Sequence, residues 1–98
     1  MSAQDQIVQA IRERRVMSVV YGGHREIEPH IMYESPTHRT LIDAYQRSGY
    51  SESGEHVNWK RFEVNKIESV RLHDETFNAR SDYNPNNTKR YRRIIARV

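Results

Sequence analysis

Residues 16–27 read VMSVVYGGHREI, and this stretch decides the fold. Val16 and Val20 fall on one side of an alternating segment, and Met17, Val19 and Tyr21 on the other. Apolar, β-branched residues on both faces predict a strand packed between two layers. Gly22-Gly23 then supplies the positive φ that a two-residue hairpin requires. A turn closed on those two glycines sets Val20 opposite Arg25 and Ser18 opposite Ile27, which turns Arg25 toward the core. Farther along the second strand, Pro29 has no N–H to give to a ladder, so it marks a bulge or an edge.

The elements on either side follow from periodicity. Toward the N-terminus, Ser2 and Asp5 suit the start of a helix, as cap and as anion at the positive end of the dipole. Ala3, Ile7, Ala10 and Ile11 recur at helical spacing, and the helix is expected to end at Arg14-Arg15. Toward the C-terminus, Ser35-Pro36-Thr37 makes a turn, and Thr40 to Gln46 alternates as a third strand. Residues 47–58 lack periodicity and predict a long loop. Lys60, Phe62 and Val64 alternate with Trp59, Arg61 and Glu63 in a fourth strand, and Ile67 to Leu72 supplies a fifth. After the turn cluster Tyr83-Asn84-Pro85-Asn86-Asn87, the residues Tyr91, Ile94, Ile95 and Val98 fit an amphipathic helix capped by Thr88. Ile94, Ala96 and Val98 also fit a sixth strand, and the helix is the reading preferred here.

Composition narrows the function. A chain of 98 residues is expected to form one domain, here divided into a body, 1–79, and a basic C-terminal extension, 80–98. With no cysteine, disulfides and thiolate zinc sites are excluded. No leader and no membrane span is predicted, so the expectation is a soluble, cytoplasmic protein. The mean hydropathy is −0.95. Of the net charge of +3, the extension carries +5, from Arg80, Lys89, Arg90, Arg92, Arg93 and Arg97 against Asp82, and the body carries −2. Such asymmetry suits attraction of a polyanion by the extension.

Three groups of residues carry candidate chemistry. Trp59 and Arg61, with Tyr45 and the neighbouring Lys60, combine aromatic faces with cations, the pairing that single-stranded nucleic acid sites use. Arg25 is expected to border the same ligand site as Tyr45, Trp59 and Arg61, although a carboxylate such as Asp43 would satisfy it equally, just as Glu63 would quench Arg61. Lys89, Arg90, Arg92 and Arg93 surround Tyr91 in a phosphate-tracking pattern, which a solvated face also explains. His24, Glu26, Glu28 and His30 alternate along one strand face at intervals of roughly 6 to 7 Å. They present metal-capable groups, but a single strand is a poor metal clamp, and no metal or other cofactor is assigned. The chain contains no nucleophile elbow, no zinc-protease His pair and no phosphate-cradling glycine loop, so no catalysis is expected.

In order along the chain, AIRERR (10–15), VVYGGHREIEPH (19–30), LIDAYQRSG (41–49), WKRFEVNKIESV (59–70) and Phe77 form a pattern that resembles the WYL-domain family. It departs from that family at Arg39-Thr40-Leu41, where the Trp-Tyr-Leu triplet stands, and at Glu63, where many members have arginine. The resemblance implies a mainly β fold with an N-terminal helix and a small five-stranded barrel of the Src-homology-3-like or Sm-like type. It also implies a bacterial regulatory module in transcription, one that senses a ligand, often a nucleotide or nucleic acid fragment, and acts through a protein partner. A plain protein-interaction module is the alternative. Only one helix precedes Val16, so sequence-specific duplex reading by a helix-turn-helix is not expected.

Overall fold

The computed structural model describes residues 2–87 and 89–98. One helix, α1 (Ala3–Glu13), precedes six strands: β1 (Arg15–Val20), β2 (His24–Glu34), β3 (Thr40–Gly49), β4 (Asn58–Glu63), β5 (Ser69–Thr76) and β6 (Arg93–Arg97). All pairings are antiparallel, in the order β4-β3-β2-β1-β5, with β6 added to β2. Among the described residues no helix is long and apolar enough to cross a membrane.

The helix forms where its caps and apolar spacing place it. Ser2 Oγ accepts from the Asp5 N–H at 3.2 Å, and the chain leaves the helix through Arg14 in the left-handed region (φ 53°). Arg14 donates back to Ala10 and Ile11, and its carbonyl accepts from the Phe77 N–H at 2.9 Å. Ile7, Ala10 and Ile11 are completely buried against Met17, Val19, Ile27, Ile42, Ala44 and Phe62. Burying each of the isoleucines contributes about 1.5–3 kcal/mol, and cutting Ile11 back to alanine costs about 2–5 kcal/mol once the cavity is counted.

Several expectations are corrected. The hairpin loop is Tyr21-Gly22-Gly23 rather than Gly22-Gly23, so Val20 faces His24 and Val19 faces Arg25. Gly22 takes φ 72°, the Tyr21 N–H bonds the Gly23 carbonyl, and a Cβ on Gly23 would strike the Tyr50 side chain. Arg25 still points to the core, as expected, since Val19 does. The expected five-stranded barrel is not closed: the sheet has six strands, and among the described residues β4 and β5, at the two ends of the order, do not pair with each other. The C-terminal helix is instead β6. β1 pairs only with the first part of β2, His24 to Ile27, which leaves Ile31 to Glu34 free to take β6. Of the stripe that suggested a helix, Ile94 and Ile95 stay 40% and 39% exposed, while Val98 packs against the core. The expected Thr88 cap lies outside the described residues.

The Pro29 bulge is present. Pro29 pairs with Ala44 and Ile31 with Asp43, so His30 is the extra residue. The sheet thus has two occupied faces. Ile42, Ala44, Gln46 and Phe62 look toward the helix. Asp43, Tyr45, Trp59 and Arg61 look the other way, where Arg80, Asp82, Tyr83, Arg90 and Tyr91 lie across them.

Candidate functional site

Asp43 organises the face opposite the helix. It sits buried in β3 between Ile42 and Ala44, directly opposite Arg61 of β4. Its Oδ1 accepts from the Tyr33 hydroxyl at 3.0 Å and from Arg61 Nε at 3.4 Å. Its Oδ2 accepts from Arg90 Nε at 2.8 Å and the Tyr91 hydroxyl at 2.7 Å. A carboxylate so placed is stable only because four donors replace its water. Burial, followed by the charge of Asp43, pushes the Tyr33 phenol up to about 12, and burial with the hydrogen bond to Asp43 raises Tyr91 as well. Both guanidiniums spend only Nε on Asp43, and among the described residues their Nη donors have no protein acceptor.

An aromatic wall stands beside this hub. Trp59 Nε1 donates to Asp82 at 2.7 Å, and the indole stacks against Tyr83, with centroids 6.2 Å apart and planes at 27°. Behind it lies His30, completely buried, edge-on to Trp59 at 4.7 Å and near Phe77 and Tyr83 at 5.0 Å each. His30 Nδ1–H donates to the Glu28 carbonyl at 2.8 Å, which leaves Nε2 to accept the Arg80 N–H at 3.1 Å. That geometry requires the neutral ring, and burial lowers its pKa. Arg80 grips Glu28 through two bonds of 3.0 and 3.1 Å and lies 3.8 Å from the Tyr45 ring centre.

Hub and wall enclose a cleft of about 310 Å³ lined by Trp59, Lys60, Arg61, Arg90, Tyr91 and Asp43, with Asp82, Tyr83, Asn84 and Asn87 on its rim. Three cations meet two carboxylates there, and aromatic rings stand at both ends. Aromatic surface, free guanidinium donors and amide groups together suit a flat heterocycle bearing a negative group.

Of the residues singled out in the sequence, Trp59, Lys60, Arg61 and Arg90 come together at this cleft. Tyr45 touches Trp59 at 5.7 Å but lies under Arg80, outside the lining. Arg25 is elsewhere: with Lys60 it lines a second cleft, of about 230 Å³, beside Tyr21, Ser51, Glu52 and Ser53. Arg25 does not meet Asp43, and Glu63 does not meet Arg61. Glu63 takes Arg39 at 3.8 Å and Lys66 at 3.3 Å. Lys89 and Arg92 are exposed on the extension, and Arg93 pairs with Glu34 at 3.3 Å. In the row His24, Glu26, Glu28, His30, Glu26 and Glu28 both reach Arg47, and Glu28 and His30 both bond Arg80, so those three share one face, where arginines already engage them. Glu28 is consumed by Arg80 and by Arg47 at 3.7 Å, and the described residues hold no group of three or more metal-capable side chains.

Sequence reasoning overlooked the role of Asp43, Asp82, Tyr83 and Tyr91. One signal was available: an aspartate between two apolar residues of a strand must find donors from elsewhere in the chain. Compared with models of protein families, with curated proteins and with solved structures, the chain matches none.

Proposed function

We propose that this domain is a ligand-sensing regulatory module of the WYL-like kind, which binds a nucleotide or one unit of a single-stranded nucleic acid in the Trp59–Arg90 cleft and passes the event to a protein partner. The arrangement of one helix followed by antiparallel strands supports the fold part of that reading. The observation that carries the rest is the cleft itself: an indole face beside Arg61 and Arg90, both fixed at Nε by a buried carboxylate with their outer donors unspent. Fixing the guanidiniums beforehand reduces the ordering cost of binding. A cleft of about 310 Å³ is at the small end for ligand sites and takes one base rather than a run of them. Stacking one base on an aromatic ring contributes about 1–3 kcal/mol. Lys89 and Arg92, exposed and without a carboxylate partner among the described residues, extend the positive path for adjoining phosphates. A protein-interaction module is the rival reading, and it draws on Val57, Ile94 and Ile95, which remain exposed.

Trp59 is the only tryptophan, so its emission reports on the cleft alone. Titrating short oligonucleotides and mononucleotides should quench it. Arg61→Ala should weaken binding by about 1.5–3 kcal/mol, the share of one charge-assisted contact. With Arg61, Lys89 and Arg92 as the cations that meet phosphates, the log-log salt slope should lie near −2, at about 0.7 per phosphate contact. Unchanged Trp59 emission at saturating oligonucleotide refutes the nucleic acid reading and leaves the interaction module.

A further inference from the structure

Among the described residues three charged side chains are buried: Glu28, Asp43 and Arg25. Each of the two carboxylates is held by two arginines, Glu28 by Arg80 and Arg47 and Asp43 by Arg61 and Arg90. Arg25, only 6% exposed, has no carboxylate at all among the described residues. Its Nε donates to the Tyr21 carbonyl at 2.9 Å and its Nη1 to Gln46 Oε1 at 3.3 Å, while Nη2 donates to nothing among the described residues. Tyr21, Tyr50 and Phe62 present their rings at 5.2–5.4 Å, which eases the burial of the cation without neutralising it. An uncompensated buried charge is costly, and a fold retains one most readily where an anion completes it.

The surroundings have the donors for such an anion. Lys60, the other cation of this cleft, also lacks a carboxylate partner among the described residues; its Nζ donates to Ser51 Oγ at 3.1 Å and Ser53 Oγ at 3.4 Å. Those two hydroxyls are 3.1 Å apart, so one proton runs between them and the other is free for a ligand. The rim carboxylate, Glu52, is exposed and pairs with neither cation. A guanidinium fork, an ammonium and a serine hydroxyl around about 230 Å³ match the oxygens of a phosphate group.

We infer that the cleft between Arg25, Lys60, Ser51 and Ser53 is a phosphate-binding site, separate from the Trp59 cleft and sharing only Lys60 with it. It stands whether or not Trp59 stacks a base. The phosphate belongs either to a free anion or to a phosphorylated nucleotide chain, since both offer the same oxygens.

The test is an amide chemical-shift titration of the intact protein with inorganic phosphate, pyrophosphate and a 5′-phosphorylated dinucleotide, against sodium chloride of matched ionic strength. Saturable shifts at Gly22, Gly23 and residues 51–54 are expected with phosphate and not with chloride. Lys60→Met and the double change Ser51→Ala/Ser53→Ala should each weaken that response tenfold or more, and Arg25→Gln should abolish it. Should Arg25→Gln not fold, the other two variants decide alone. A dinucleotide that binds tighter than phosphate and loses the gain without its 5′-phosphate assigns the site to nucleotide chains; one that does not assigns it to free phosphate. Equal shifts with chloride, or a full phosphate response in Lys60→Met, overturn the inference.

Discussion

Replacing Asp43 with asparagine keeps the shape of the side chain and removes its charge. The carboxamide would still accept through its one oxygen, but its nitrogen would set N–H groups against the Arg90 and Tyr91 donors that Oδ2 now receives. Hydrogen bonds to a charged acceptor contribute about 1.5–3 kcal/mol each, and stripping a buried charge pair of one partner costs about 3–5 kcal/mol. Arg61 and Arg90 are nearly half exposed and regain water, so their share is discounted. A net loss of about 2–4 kcal/mol remains, which for a domain of this size lowers Tm by roughly 10–25 °C. The loss should be local first, because Arg90 and Tyr91 tie the chain to the sheet just before β6. Hydrogen exchange should therefore accelerate in Arg93–Arg97 more than in the β1–β5 ladder. Tyr91→Phe, which removes one neutral donor, should cost only about 1 kcal/mol. A Tm within about 2 °C of the parent, well under the shift expected from even 1 kcal/mol, or unchanged protection of β6, would refute the role given to Asp43.

Three further outcomes follow from the geometry. His30 is held neutral in the fold with its pKa below the ordinary 6.5, so its contribution is whole above pH 6.5 and drains as pH falls through the folded value; urea midpoints should drop on acidification, and amide shifts at Arg80 should follow, since a protonated Nε2 cannot accept its N–H. Tyr33 is displaced the other way, from 10.0 to about 12, so its contribution is whole below pH 10 and is lost as pH rises through 12, a fall of about 2–3 kcal/mol at roughly 1.4 per unit; Tyr33→Phe should flatten that limb of the stability curve. Gly49 takes φ 107°, and a Cβ there would collide with the His24 carbonyl and Arg25 Cα, so Gly49→Ala should cost at least about 2 kcal/mol by urea unfolding, whereas Gly54→Ala, with open space around it, should cost only the left-handed strain of about 1 kcal/mol.

The parts of this fold that the sequence discloses are those set by short-range chemistry. Ser2 caps because its oxygen reaches a donor three residues on, and Pro29 bulges because it has no N–H; neither depends on distant residues. Alternation along β4 likewise separates Phe62 from Trp59 and Arg61, which is why the aromatic and its cation appear on one wall of the cleft. The register of the first hairpin is not legible from Gly22-Gly23 alone, since the Tyr50 ring packed over Gly23 comes from a loop two strands later. The extension shows the same limit. Tyr91, Ile94, Ile95 and Val98 satisfy a helix while Ile94, Ala96 and Val98 satisfy a strand, and the choice falls to a vacant stretch of β2, which no periodicity near residue 94 encodes. Asp43 reads in the sequence as a partner for Arg25 because both lie on neighbouring strands, but two of the groups that hold it, Arg90 and Tyr91, lie 47 and 48 positions away.

The division of one edge of β2 between two partners also orders events in time. A ribosome delivers β1, β2 and β3 early, and the half of β2 beside β1 pairs at once. The other half, Ile31 to Glu34, waits for residues 93–97, and closure across the 59 positions from Glu34 to Arg93 is entropically costly and slow compared with a hairpin. Until then Asp43 has neither Arg90 nor Tyr91, and an unpaired edge stands open to strands of neighbouring nascent chains. Nascent chains stalled before residue 93 should therefore be the aggregation-prone species in cells, and expression at lower temperature, which slows encounters between them, should raise the yield of folded protein.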